Sequence, residues 1–293
     1  MTFTLSNSTN LGSDPTGLTP AVKLPIGIFD SGVGGLSVLR HIRAHLPQED
    51  LIYFADSAYA PYGDKTEQQV IDRSLAITAF LLQQGAKALV VACNTATIAA
   101  IKALRARYPD LPIVGVEPGL KPAAAISRNG KIAVLATERA LRGDKLLALR
   151  EQVSAATGAT FILQPCIGLA DRIEQCELGH DPFDATSAML DRYIAPMLEQ
   201  GVDTLVLGCT HYPFVQDAIV RTVRAHTQET ITLVDTGDAV ARQLARLLDA
   251  ASLRRTGNDA PQLQGYTTAK VESLAQAFSG LLDLQPPVAH LSV

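Results

Sequence analysis

Short apolar runs alternate with amphipathic stretches along most of this chain. Leu24-Pro25-Ile26-Gly27-Ile28-Phe29 is apolar throughout, without the polar alternation of a half-exposed strand. Leu51-Ile52-Tyr53-Phe54-Ala55, Ala88-Leu89-Val90-Val91-Ala92, Lys131-Ile132-Ala133-Val134-Leu135 and Thr204-Leu205-Val206-Leu207 follow the same rule. Runs of this length read as strands buried on both faces. Weaker strands are expected at residues 161–163, 231–234 and 264–266. The stretches between them have helical periodicity. After Gly35, Leu39, Ile42 and Leu46 form one stripe. Thr66 with Gln69 is a capping box, opening a helix that carries Val70, Ser74, Ile77 and Leu81 and stops at Gly85. Residues 184–200 read as a further helix, and 252–261 as a polar loop. Buried strands separated by amphipathic helices predict an α/β fold with mostly parallel sheets.

One pattern occurs twice. Gln84-Gly85 precedes Ala88-Leu89-Val90-Val91-Ala92-Cys93, and Gln200-Gly201 precedes Thr204-Leu205-Val206-Leu207-Gly208-Cys209, at identical spacing. Each copy reads as helix end, strand, then cysteine at the strand's carboxyl end. A new helix should follow each cysteine, the second beginning near Pro213, a favoured first-turn residue. Strand–turn–helix units often look alike, so ordinary α/β self-similarity is the plain alternative. Ligands of open α/β sheets bind beyond the carboxyl ends of strands, which places both cysteines where a site belongs. The expected architecture is two similar α/β domains related by a pseudo-two-fold axis, with the site in the cleft between them. Residues 25–118 with 230–293 would form the first domain and 119–229 the second. Residues 1–24, rich in Ser, Thr, Asn and Gly, read as a flexible extension.

Composition narrows the function. The chain has 293 residues, of which 47% are hydrophobic, so it can bury a substantial core. A net charge of −4 and the lack of a basic stripe argue against a nucleic-acid partner. No apolar run is long enough to span a membrane, and the N-terminus lacks the basic and apolar regions of a signal peptide, so a cytosolic protein is expected. Cys93, Cys166, Cys176 and Cys209 form no C-x-x-C pair, which disfavours structural zinc and predicts free thiols in a reducing compartment. Cys166 and Cys176 are expected to be small buried hydrophobes.

Two opposed thiols suggest one chemistry. A thiol at a helix N-terminus has its thiolate favoured by the helix dipole, and a modest fall from about 8.5 gives a base working near neutral pH. One thiolate removes a proton from a carbon, and the other thiol delivers a proton to the opposite face. The carbon inverts, and the pair runs the reverse reaction with roles exchanged. His211 lies two residues beyond Cys209, and Asp30 ends the first strand; each is a plausible polar helper, although each alone fits an ordinary loop or cap residue. Ser31, Tyr62, Gly63, Asn94, Thr95, Thr137 and Thr210 gather at the same strand ends and suit a carboxylate-bearing substrate. No arginine is among them.

These residues together resemble the glutamate racemase family, within the aspartate/glutamate racemase superfamily. The matching strings are Phe29-Asp30-Ser31-Gly32-Val33-Gly34-Gly35-Leu36, Pro61-Tyr62-Gly63, Cys93-Asn94-Thr95-Ala96 and Gly208-Cys209-Thr210-His211-Tyr212-Pro213. Each alone is weak; their joint order and spacing, from Pro25 to the C-terminus, are specific. The resemblance implies glutamate bound between two α/β domains, a homodimer, and neither pyridoxal phosphate nor a metal. It implies that Cys93, assisted by Asp30, acts on the D-enantiomer and Cys209, assisted by His211, on the L-enantiomer, with Glu174 as a supporting carboxylate. Asp30 with Ser31, Tyr62 with Gly63, Asn94 with Thr95, and Thr210 with His211 match substrate-contacting positions. The implied role is supply of D-glutamate for peptidoglycan. One stretch departs: after Thr137 the family commonly has a further threonine and then a serine, where this chain has Ala140 and Gly143.

Three competing readings follow. A sister racemase for aspartate or another amino acid would differ at the far wall of the pocket. A dinucleotide-binding oxidoreductase is suggested by Gly32-Val33-Gly34-Gly35 after a strand and Asp56 ending the next, although Ser37 stands where that fingerprint needs its third glycine. A non-catalytic binding module would leave both cysteine motifs without a purpose.

Overall fold

The computed structural model describes residues 20–177, 183–257 and 259–292, with backbone alone for 175–177 and 183–185. Most of the expected N-terminal extension and the side chain of Cys176 therefore lie outside the described residues. Among those described, the strands form two sheets, and every pairing is parallel. In chain order the strands are β1 (Ile26–Asp30), β2 (Leu51–Ala55), β3 (Ala88–Val91), β4 (Ile113–Gly115), β5 (Lys131–Ala136), β6 (Thr160–Pro165), β7 (Thr204–Leu207), β8 (Thr232–Val234), β9 (Leu263–Thr267) and β10 (Val288–His290).

The first sheet has the order β10-β9-β2-β1-β3-β4 and the second β6-β5-β7-β8. The run β2-β1-β3-β4 therefore matches β6-β5-β7-β8 strand for strand, and β3 and β7, the strands that lead to Cys93 and Cys209, hold the same place. Each Gln-Gly of the sequence repeat ends a helix, with Gly85 at φ +86° and Gly201 at φ +77°. That left-handed conformation costs a residue with a Cβ and suits glycine as a helix terminator.

The apolar runs lack alternation because both faces of each sheet are covered. Ile26 and Ile28 of β1 pack with Leu36, Leu39 and Ile42 of helix Leu36–His45, whereas Phe29 faces Val70, Ile77 and Leu81 of helix Glu67–Gln83. In the second sheet Ala133 and Leu135 meet Leu190 and Ile194 of helix Phe183–Glu199, and Ile132 and Val134 meet Leu146 and Val153 of helix Asp144–Thr157. The Thr66–Gln69 capping box forms as expected.

Some details differ from the sequence expectation. Thr232–Val234 pairs with Thr204–Val206 and completes the second sheet, so the chain returns to the first sheet only after Val234, not near 230. The helix after Cys209 is Gln216–His226; Pro213 sits instead in a 3₁₀ turn, Tyr212–Val215. The three-residue edge strands β4 and β10 lie outside the runs that predict strands. Among the described residues, no helix is long and apolar enough to cross a membrane.

Candidate active site: two thiols on one cavity

The strand ends of the two sheets meet around a cavity of about 340 Å³. Cys93 follows β3 and immediately precedes helix Asn94–Arg107; Cys209 follows β7. Both are buried, and both line this cavity. Ser31, Tyr62, Gly63, Asn94, Thr95, Thr137, Glu174, Thr210 and His211 line it as well, so nearly every residue singled out from sequence converges there.

Asp30 is the exception. It is fully buried and is not part of the cavity wall. Its carboxylate accepts the N–H groups of Ser31 (2.8 Å) and Gly35 (2.6 Å). The Ser31 hydroxyl in turn lies 3.5 Å from the Cys93 sulfur. Burial raises the pKa of Asp30, opposed by the positive charge of His211 and the two backbone N–H groups. The Cys93 thiol is pushed up to about 12, first by burial and then by the negative charge of Asp30. The downward shift expected from the helix N-terminus is thus reversed: loss of water outweighs the N–H of Ala96 and the Ser31 contact.

The Cys209 side is wired differently. Its sulfur lies 3.6 Å from His211 Nδ1, and His211 Nε2 lies 3.0 Å from Glu174 Oε2. Burial alone would depress the imidazole, but hydrogen bonds to Cys209 and Glu174, and their negative charge, raise its pKa well above the usual value. A thiol, an imidazole and a carboxylate thus form a chain along which a proton can be shared. Glu174, whose placement rested on family pattern alone, falls in line with His211.

The glycine-rich turn after β1 serves both sides. Gly35 gives its N–H to Asp30. A Cβ on Gly34 would lie 2.5 Å from His211 Cε1 and 2.6 Å from Thr210 Oγ1. Gly32 faces the Glu174 carboxylate, and its carbonyl accepts the Tyr53 hydroxyl at 2.9 Å. The turn that imitates a dinucleotide fingerprint is therefore filled by the protein's own side chains. Asp56, the other support for that reading, is also consumed internally: its buried carboxylate binds Arg73, Tyr62 and Thr268.

Several wall residues escaped the sequence reading, Arg139 and Cys166 among them. Arg139 lines the cavity and donates to the Gly63 carbonyl at 3.1 Å, bridging the two strand-end clusters. Its only sequence signal is its nearness to Thr137, which both lines the cavity and caps the helix Glu138–Arg142. Cys166 is buried, as expected, but also contributes to the wall. Ala140 and Gly143, where the chain departs from the family pattern, line an adjoining cavity and not this one. No cluster of three or more His, Cys, Asp or Glu among the described residues is arranged to hold a metal ion.

Two parallel α/β sheets with cysteines at equivalent strand ends, opening on one cavity, define a two-domain α/β protein with its candidate site between the sheets. The chain belongs to the Asp/Glu/Hydantoin racemase family, whose model matches residues 35–244. It is 52% identical over 268 residues to the glutamate racemase of Pseudomonas aeruginosa strain PAO1, spanning 92% of this chain and 97% of that protein. With the glutamate racemase of Pseudomonas paraeruginosa it shares 47% over 273 residues, covering 93% of this chain and 99% of the relative. Among solved structures it resembles a glutamate racemase isoform from Bacillus anthracis, with a TM-score of 0.81 at 28% identity, covering 92% of this chain and 98% of that one. Escherichia coli glutamate racemase, in complex with L-glutamate and the activator UDP-MurNAc-ala, gives a TM-score of 0.78 at 31% identity, covering 91% and 97% of the two chains.

Proposed function

We propose that this protein interconverts L-glutamate and D-glutamate without a cofactor, using Cys93 and Cys209 as the two acid–base groups. The observation that carries the reading is the placing of both thiols, each with its own polar partners, on one cavity. Extensive similarity to glutamate racemases supports glutamate as the substrate. Neutral donors from Ser31, Asn94, Thr95, Thr137 and Thr210 hold its polar groups, and Arg139 adds a cation at the wall.

With D-glutamate bound, Cys93 in its thiolate form removes the α-proton and becomes the thiol. The substrate's ammonium group brings a positive charge into the cavity, which offsets the negative field of Asp30 and brings the thiol into a working range. The carbanionic carbon takes a proton on its other face from the Cys209 thiol, whose sulfur lies against His211 Nδ1. From L-glutamate the roles exchange. Residues 25–118 with the segment after Val234 act as one domain and the intervening segment as the other. Their closure excludes water and strengthens the electrostatics of the site. A homodimer, a cytosolic location and supply of D-glutamate for peptidoglycan complete the reading on the strength of the family resemblance.

The test is direct. L-glutamate incubated with the protein in cofactor-free buffer is expected to lose its circular dichroism signal completely, and D-glutamate to do the same. Turnover of aspartate with glutamate left unchanged would replace this reading with the sister activity.

A further inference from the structure

One wall of the cavity is the turn Pro61-Tyr62-Gly63, and the side chains that hold it belong to none of the acid–base machinery. Asp56, directly after β2, is fully buried. Its carboxylate accepts four hydrogen bonds, two on each oxygen. Oδ2 takes the Tyr62 hydroxyl at 2.7 Å and Arg73 Nε at 2.6 Å. Oδ1 takes Arg73 Nη2 at 2.6 Å and the Thr268 hydroxyl at 2.9 Å. Thr268 also accepts the N–H of Ala58 at 3.0 Å, inside the same loop. The Arg73 guanidinium lies 5.2 Å from the centre of the Tyr59 ring, which meets Tyr62 edge-on with ring centres 6.2 Å apart. One carboxylate thus ties together a strand end, a helix, the segment after β9 and the turn against the cavity. Its own N–H donates to the Asp30 carbonyl at 2.9 Å, so the assembly is registered on the end of β1, which pairs with the strand leading to Cys93.

A buried ion pair of this kind adds little net stability, because desolvation offsets most of its attraction. What it supplies is direction: both carboxylate oxygens are saturated, and the Tyr62 hydroxyl has one place to go. That hydroxyl is itself kept un-ionised, since burial and the adjacent Asp56 raise its pKa far beyond the ordinary range. It serves as a hydrogen-bond donor, not as an acid.

We propose that Asp56 and Arg73 are positioning residues for the substrate, acting through the Tyr62 hydroxyl to fix Tyr62 and Gly63 against the bound amino acid. This rests on the reading of the cavity as a glutamate site. The clamp sets substrate affinity and leaves the proton transfers at Cys93 and Cys209 alone.

The experiment compares wild type with Tyr62→Phe, Asp56→Asn, the double variant, Arg73→Lys and Arg73→Gln. KM and kcat are measured in both directions, together with the melting temperature. Tyr62→Phe removes one hydroxyl and keeps the ring. It is expected to raise KM about tenfold, with kcat within about twofold and only a small fall in melting temperature, since Asp56 keeps its bonds to Arg73 and Thr268. The double variant should have the KM of Asp56→Asn, because the hydroxyl acts only through that carboxylate. Arg73→Lys should recover part of the KM that Arg73→Gln loses. Should Asp56→Asn fail to fold, Tyr62→Phe alone decides. An active wild type with Tyr62→Phe at unchanged KM, or affected in kcat only, overturns the inference; so do additive effects in the double variant. A wild type inert on glutamate overturns the functional reading itself, and this inference with it.

Discussion

Cys93 and Cys209 hold the same topological position but sit in opposite electrostatic settings. Cys93 is beside a buried carboxylate, and Cys209 beside an imidazole inclined to be positive. Replacing either thiol by serine keeps the shape and removes the acidity, so each variant should lose at least about 100-fold in kcat with little change in melting temperature, the usual scale of a general acid–base group. Full activity in Cys93→Ser, followed by circular dichroism, would contradict the assignment. The raised pKa of Cys93 has its own consequence. Below about 12 the substrate-free thiol is mostly protonated. Its alkylation by iodoacetamide should therefore be slow at neutral pH and still climbing above pH 9, past the point where an ordinary thiol of pKa about 8.5 begins to level off. A plateau near neutrality, read by mass spectrometry of the Cys93 peptide, would contradict that. The convergence of both cysteines and His211 on one cavity was legible in the sequence, because motif spacing survives without a structure. The direction of the Cys93 shift, the burial of Asp30 and the place of Arg139 were not, since they depend on what tertiary packing removes from water or brings across the cleft.

The glycine turn after β1 explains why a motif that imitates nucleotide binding stands in this chain. Gly34 is a contact surface for His211, not a cradle for phosphate. Gly34→Ala puts a methyl group where the imidazole lies. Overpacking of this kind costs about 1–3 kcal/mol if the ring stays, and the ring can relieve it by moving away from Cys209. Activity should fall by more than stability, with the loss appearing as an altered pH profile of kcat; an unchanged profile would show that the ring does not depend on this contact. Strands buried on both faces, the Thr66 capping box and the Gln-Gly helix ends were readable because they follow from local pattern and backbone chemistry. β4 and β10 were missed because each is three residues long and set beside proline or glycine, whereas the equally short β8 lies in the continuous run Ile231-Thr232-Leu233-Val234. The late start of the helix after Cys209 was missed because a proline fits a 3₁₀ turn as readily as a first α-helical turn.

The two sheets repeat one strand order, and the site exists only where they meet. Among the described residues, side chains such as Ser37, Arg139 and Lys145 bridge that boundary. The Ser37 hydroxyl, on a helix of the first sheet, donates to the Thr210 carbonyl beside Cys209 at 2.8 Å, and Arg139 reaches Gly63. Ser37→Ala should cost about 1 kcal/mol in stability by denaturant titration, with kcat reduced because the Cys209 loop loses its anchor. Normal kcat would show that the loop is held from its own side. The repeat announced the two-sheet plan, whereas contacts separated by most of the chain length could not be read from it.

The central claim is that two different thiols act on opposite faces of one carbon. A thiol carries one proton, so the acid that completes the reaction is already labelled by solvent, while the base holds the proton it has just removed. L-glutamate turned over in deuterium oxide and sampled early by proton NMR should therefore give D-glutamate carrying deuterium at the α-carbon, with the remaining L-glutamate still protonated there. Deuterium appearing equally in both enantiomers at early conversion, or D-glutamate that keeps its original proton, would mean that a single base does the work.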